Sequence, residues 1–159
     1  MRVVVLGIGN ILLSDEGVGV RAVERLEEEY HLPPEVEVID GGTCGMEMLD
    51  QLESLDALVV VDCVRHGKAP GTPILLKGDE VPVFFKTKLS PHQVSLSDVL
   101  ASLEFEDRAP KYASIVGIQP ASLDTGMELT PEIAAKVPEL VAMAVAELRG
   151  LGLKVEEKA

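Results

Sequence analysis

Tryptophan is absent from this 159-residue chain, and its rings amount to two tyrosines and three phenylalanines. A core can therefore be built only from Val, Leu, Ile and Ala, and with 47% hydrophobic residues there is enough of them to exclude a disordered chain. Positive charge is also short: 14 Lys and Arg face 27 Asp and Glu, a formal net charge of −13 with no basic cluster. Such a surface repels phosphate backbones and anionic bilayers, which removes nucleic acid and membrane as partners. No apolar run approaches the ~20 residues of a membrane span, and Val3-Val4-Val5-Leu6 is too short for a signal-peptide core. A soluble, cytoplasmic protein is expected.

Cysteine is scarce as well. Cys44 and Cys63 form no CxxC zinc pattern, fit a reducing compartment, and read as small buried fillers, with Cys63 bordering the candidate site below. Three familiar motifs are missing. Gly7-Ile8-Gly9 starts like a dinucleotide fingerprint, but the third glycine position is Leu12. No Walker lysine follows the loop, and no G-x-S-x-G nucleophile elbow occurs anywhere. A nucleotide-binding domain and a serine hydrolase are both disfavoured.

What is present is organised around residues 3–19. Val3-Val4-Val5-Leu6 reads as a strand buried on both faces, stopping at Gly7, with a tight loop and then a helix that opens on Asp15 and Glu16. Taken alone, two acids there are ordinary helix-start residues. Val18, Ala22, Val23 and Leu26 give the helix its apolar stripe, and His31 follows as a surface residue before Pro33-Pro34. A second strand, Val36 to Ile39, ends at Asp40 and a glycine turn, followed by a short helix through Met46, Leu49 and Leu52. A third, Ala57 to Val61, ends at Asp62. This β-α-β-α-β rhythm predicts parallel strands joined by helical crossovers.

From Cys63 to Thr72 the connection is too short for a crossover helix, so a fourth strand, Pro73 to Lys77, is expected antiparallel to the third. Val81 to Ser90 must then carry the chain back, delivering Ser90-Pro91-His92 to a helix marked by Val94, Leu96, Val99, Leu100 and Leu103. A fifth strand spans Tyr112 to Ile118. Thr130-Pro131 begins the last helix, which Pro138 should kink or break. Residues 1–150 are expected to form a single α/β domain, and 151–159 a polar C-terminal tail, frayed from Val155 onward.

Parallel strands end on one edge of a sheet, where open α/β folds bind ligands. Glu16, Asp40 and Asp62 fall there, and His92 returns there if the fourth strand is antiparallel. Each has a bland reading alone: Asp40 and Asp62 as turn formers, His92 as a buried hydrogen-bonded ring. Clustered carboxylates repel, however, and a cation is the simplest group to hold them together. Glu16, Asp62 and His92 offer two oxygens and a nitrogen with open positions, suiting nickel, zinc or another divalent ion, with His66 as the alternative nitrogen.

These residues resemble a known family, the maturation endopeptidases of nickel–iron hydrogenases. The resemblance is carried by Gly7-Ile8-Gly9-Asn10 with Asp15-Glu16-Gly17-Val18-Gly19, by Asp40-Gly41-Gly42-Thr43, Val61-Asp62 and Ser90-Pro91-His92-Gln93, and by Gly117-Ile118-Gln119-Pro120 and Leu129-Thr130-Pro131. It extends up to Gly150. It implies a twisted five-stranded, mostly parallel sheet with one antiparallel strand between helices, of the phosphorylase/hydrolase-like kind. It also implies removal of a C-terminal extension from the hydrogenase large-subunit precursor once nickel is in place. Glu16, Asp62 and His92 match the family's metal positions, and Asp40 is the candidate for orienting or deprotonating water. The nickel is expected to arrive with the precursor, although another divalent metal could sit in the isolated protein. The Ser90-Pro91-His92-Gln93 form resembles the branch serving uptake-type hydrogenases. A monomer is expected, since the partner must reach one open edge. The competing reading is a non-catalytic, nickel-dependent docking or chaperone module; a general metallopeptidase is a third, and would act on casein-like substrates.

Overall fold

A computed structural model describes the backbone of residues 1–42, 48–87 and 91–159, and the side chains of 1–42, 48–84 and 98–159. Its five-stranded sheet comprises β1 (Val3–Ile8), β3 (Val36–Gly42), β4 (Ala57–Cys63), β5 (Pro73–Lys77) and β6 (Tyr112–Ile118), in the spatial order β3-β1-β4-β6-β5. Four of these strands are parallel and β5 runs against them. The orientation of β5 is the expected one. Its hydrogen-bonded partner is β6 rather than β4, because the later strand inserts between the two.

β1 and β4 are buried along their whole length, as unbroken branched-apolar runs require. Their alternation divides the core in two. Val3, Val5, Val59 and Val61 meet α1 (Val18–Glu29) and α6 (Val137–Gly150) on one face. Val4, Leu6, Leu58 and Val60 meet the other layer, which includes α2 (Leu49–Leu52), α3 (Glu80–Thr87) and α4 (Pro91–Phe105). The chain after β5 is thus a helix over part of the stretch read as a connection. Residues 43–47, expected to close the glycine turn and, from Met46, to begin the second helix, lie outside the described residues.

Pro138 breaks the last helical segment as its missing N–H dictates. A short α5 (Pro131–Ala134) precedes α6, and Pro138 stands in the first turn of α6, where no donor is needed. The end of the chain corrects the sequence reading. Val155 to Ala159 does not fray: β7 (Glu156–Glu157) pairs antiparallel with β2 (Tyr30–His31), and Leu153 and Val155 are buried. Two apolar residues flanking Lys154 supply the anchor, and Arg149 donates to the Val155 carbonyl at 2.8 Å. His31 is exposed in this ribbon and takes no part in the site. Among the described residues no helix is long and apolar enough to cross a membrane.

Candidate functional site

The carboxyl edge is assembled by close backbone approach. After β1 the chain turns at Gly9, whose φ of +135° is open to glycine and where a Cβ would stand 1.9 Å from the Glu16 carbonyl oxygen. Gly19, in the first turn of α1, lies against the sheet itself: a Cβ there would be 2.1 Å from the Val61 carbonyl oxygen. The glycines of this loop therefore bring backbone against backbone. They bring the 3-10 turn Ser14–Gly17 onto the end of β4, and with it Glu16 onto Asp62 and Cys63.

Asp15 and Glu16 have separate tasks. Asp15 is fully buried, and its carboxylate accepts hydrogen bonds from the amides of Ala121, Ser122 and Thr130 at 2.9 Å and from the Thr130 hydroxyl at 3.0–3.1 Å. It fastens the loop between β6 and α5 to the 3-10 turn instead of capping its own helix, and it takes the Thr130 hydroxyl away from capping α5. The same seam holds Ser14 in a left-handed conformation, φ 51°, through Ser14 N–H to the Gly126 carbonyl (2.8 Å) and its hydroxyl to the Asp124 carbonyl (2.7 Å). Asp15→Ala leaves three amides and a hydroxyl to find water, at a cost of about 2–3 kcal/mol because these donors are near the surface. Urea unfolding should show this drop, and an unchanged midpoint would contradict the clamp.

Glu16 is 5% exposed, and Asp62 and Cys63 are 0% exposed. One ligand atom from each lies within 4.8 Å of the other two. The Cys63 thiol donates to Glu16 Oε2 at 3.0 Å, and Asp62 Oδ1 accepts the Cys63 amide at 2.8 Å, which fixes the Asp62 carboxylate over the strand end. A divalent ion bound at about 2.0–2.3 Å holds its ligand atoms roughly 3–4.5 Å apart. The three groups thus fit one ion after small rotations. Burying two carboxylates side by side is costly, and a cation between them offsets that cost.

The other residues singled out in the sequence fall differently. Asp40 lies near the end of β3 opposite Gly7, is exposed, and accepts the Gly42 amide through Oδ1 at 3.0 Å, so it bonds its own backbone two residues on while keeping its carboxylate in solvent. His66 is exposed with its amide bonded to Gln119 Oε1 at 2.7 Å, and it does not belong to the three-residue group. The backbone of His92 belongs to the first turn of α4, and its side chain lies outside the described ones. Sequence reasoning underrated two residues. The clamp of Asp15 depends on partners more than 100 positions away, which no local pattern announces. Cys63 was read as a filler, and its only signal was its place directly after Asp62.

An α/β sheet with buried carboxylates and a thiol at its carboxyl edge is of the open class that binds ligands at its strand ends, and this group could hold a metal ion. The family profile for hydrogenase maturation proteases matches residues 20–147. The hydrogenase 2 maturation protease of Escherichia coli is 46% identical, over 97% of this chain and 94% of its own length. The hydrogenase expression/formation protein HupD of Rhodobacter capsulatus is 43% identical, over 99% of this chain and 76% of its own. In structure, the chain superposes on the E. coli hydrogenase maturating endopeptidase HybD with a TM-score of 0.96 at 45% identity, covering 99% and 98% of the two chains. The maturation protease HybD of Thermococcus kodakarensis gives 0.75 at 28% identity, covering 92% and 99%. The chain belongs to the hydrogenase maturation protease family and is a peptidase.

Proposed function

We propose that the protein removes the C-terminal extension of a nickel–iron hydrogenase large-subunit precursor after nickel insertion, in the cytoplasm and as a monomer. Glu16, Asp62 and His92 recognise the nickel that the precursor carries. The observation that carries this reading is the buried convergence of Glu16 and Asp62 at the carboxyl edge.

The polarity of α4 supports the place of His92. Beyond the C-terminal end of that helix, Arg108 O accepts the Ser54 amide and the Lys111 amide donates to Leu55 O, both beside the start of β4. The helix has 15 residues, about 22 Å at the usual rise, and β4 has seven, about 22 Å. A helix of this length that runs back along β4 from there would bring its first turn, with His92, towards the end of the strand that carries Asp62 and Cys63. Alternation also puts Asp62 on the strand face of Leu58 and Val60, which Val99 and Leu103 of α4 help to cover.

In this mechanism Glu16, Asp62 and His92 complete the coordination of a nickel ion near the scissile peptide, so that an empty precursor has nothing to offer them. The ion supplies Lewis acidity at the scissile carbonyl. Asp40, exposed at the neighbouring strand end, orients the attacking water or takes its proton. Water adds to the carbonyl carbon, the C–N bond breaks, and the released amine leaves with a proton. Buried Glu16 and Asp62 keep their oxygens fixed, and this rigidity makes recognition depend on the metal.

Intact mass of a precursor before and after incubation tests the proposal, with nickel-loaded and nickel-free samples in parallel. Loss of a C-terminal peptide from the loaded sample alone is the expected result. No mass change in either sample, with the complex still formed, would replace it by the docking-module reading. His92→Ala should abolish the cleavage with an unaltered circular dichroism spectrum, and normal cleavage by the folded variant would remove His92 from the ligand set.

A further inference from the structure

Cys63 has no role in the ligand set of Glu16, Asp62 and His92, yet its sulfur is in direct contact with Glu16 and the residue directly follows Asp62 in the chain. We propose that Cys63 supplies a thiolate ligand to the metal held by Glu16 and Asp62, so that the centre is a mixed oxygen–sulfur site and not one of oxygen and nitrogen alone. The inference rests on the metal-recognition reading above and names a further donor for it.

Three features carry it. Sγ lies 3.0 Å from Glu16 Oε2, inside the spacing of two ligand atoms on one ion. All three donors are buried, so an ion there exchanges water for these side chains and gains most from a strong ligand. The position of Cys63 is also set by the backbone: it pairs with Ile118 in the β4–β6 register, and its amide is held by Asp62 Oδ1. A filler would need only apolar neighbours, whereas this sulfur faces a carboxylate. On binding, the S–H bond gives its proton to solvent and a sulfur–metal bond forms, with no change of oxidation state. A soft ligand among hard ones favours nickel, cobalt, zinc and cadmium over magnesium and calcium.

Cobalt(II) titration of the whole chain tests this, in a Cys44→Ser background so that Cys63 is the sole thiol. The expected result is a thiolate-to-cobalt charge-transfer band in the near ultraviolet, rising together with the visible ligand-field bands. Cys63→Ser in that background should lose the near-ultraviolet band, keep the visible ones, bind cobalt about tenfold or more weakly, and release one proton fewer per ion. Visible bands without the charge-transfer band in the Cys63 protein would overturn the sulfur ligand and leave Glu16 and Asp62 as the metal site. Absence of both sets of bands, in protein with an unaltered circular dichroism spectrum, would overturn the thiolate and the metal-recognition reading together.

Discussion

Asp62→Asn is expected to fold like the wild type and to lose cleavage of a nickel-loaded precursor by at least about 100-fold, more than the loss of an outer-shell partner brings. The substitution is selective because of what Asp62 does locally. Its Oδ1 accepts the Cys63 amide at 2.8 Å, and the carbonyl oxygen of asparagine can accept the same bond in nearly the same volume. The core around it, with Val60, Val61 and Val64 all buried, is untouched. What disappears is the negative charge and one anionic oxygen at the end of β4, the part of Asp62 that an ion feels. Initial cleavage rates by intact mass and a thermal melt check both halves of the expectation. Cleavage near the wild-type rate would remove Asp62 from the site, and a collapsed melt would show that its charge is structural.

Gly19→Ala addresses the frame that holds the site. The added methyl would stand 2.1 Å from the Val61 carbonyl oxygen and 2.6 Å from that of Ile8, both backbone atoms of the central sheet. Neither can rotate away, so α1 must retreat by about an ångström, and its buried residues Val18, Val23 and Leu26 lose packing. Overpacking of this kind costs about 3 kcal/mol. Because α1 is continuous with the 3-10 turn, its retreat also draws Glu16 away from Asp62 and Cys63. Urea unfolding should show the loss of stability, and metal affinity should fall with it. A variant as stable as the wild type would mean that helix and sheet separate here without penalty.

These two residues differ in how openly the chain announces them. Asp62 is legible because Ala57 to Val61 is an unbroken apolar run, and a carboxylate closing such a run falls on the ligand-binding edge of a parallel sheet. Gly19 is visible as part of a glycine-rich loop, but its physical reason is contact with Val61, more than forty positions away. The same distinction separates Glu16 from Asp15. Adjacent in the chain and both buried, one faces the donor cluster and the other ties down the loop of Ala121 to Thr130. Adjacent residues on a tight turn point different ways, and only the neighbours supplied by β4 and β6 decide what each one meets.

Pro138 and the tail show where local rules hold and where they stop. A missing amide has its consequence wherever the chain goes, so the break between α5 and α6 could be read directly. Charge suggested that Val155 to Ala159 would be loose, yet Val155 is 3% exposed because the fold offers it a hydrophobic seat and gives β7 a partner in β2. The order β3-β1-β4-β6-β5 likewise lay beyond local reading, since strand direction follows from connection length while strand neighbours follow from how whole layers close.

By itself, then, the sequence determined the α/β alternation, the antiparallel sense of β5 and the chemical types gathered at the strand ends, because hydrophobic period, connection length and proline chemistry act within a few residues. Only the tertiary structure decided that β6 lies between β4 and β5, that Asp15 is a clamp, and that the Cys63 sulfur meets Glu16 at 3.0 Å. Those outcomes depend on packing among segments far apart in the chain, such as the close approach of backbone to backbone at Gly9 and Gly19.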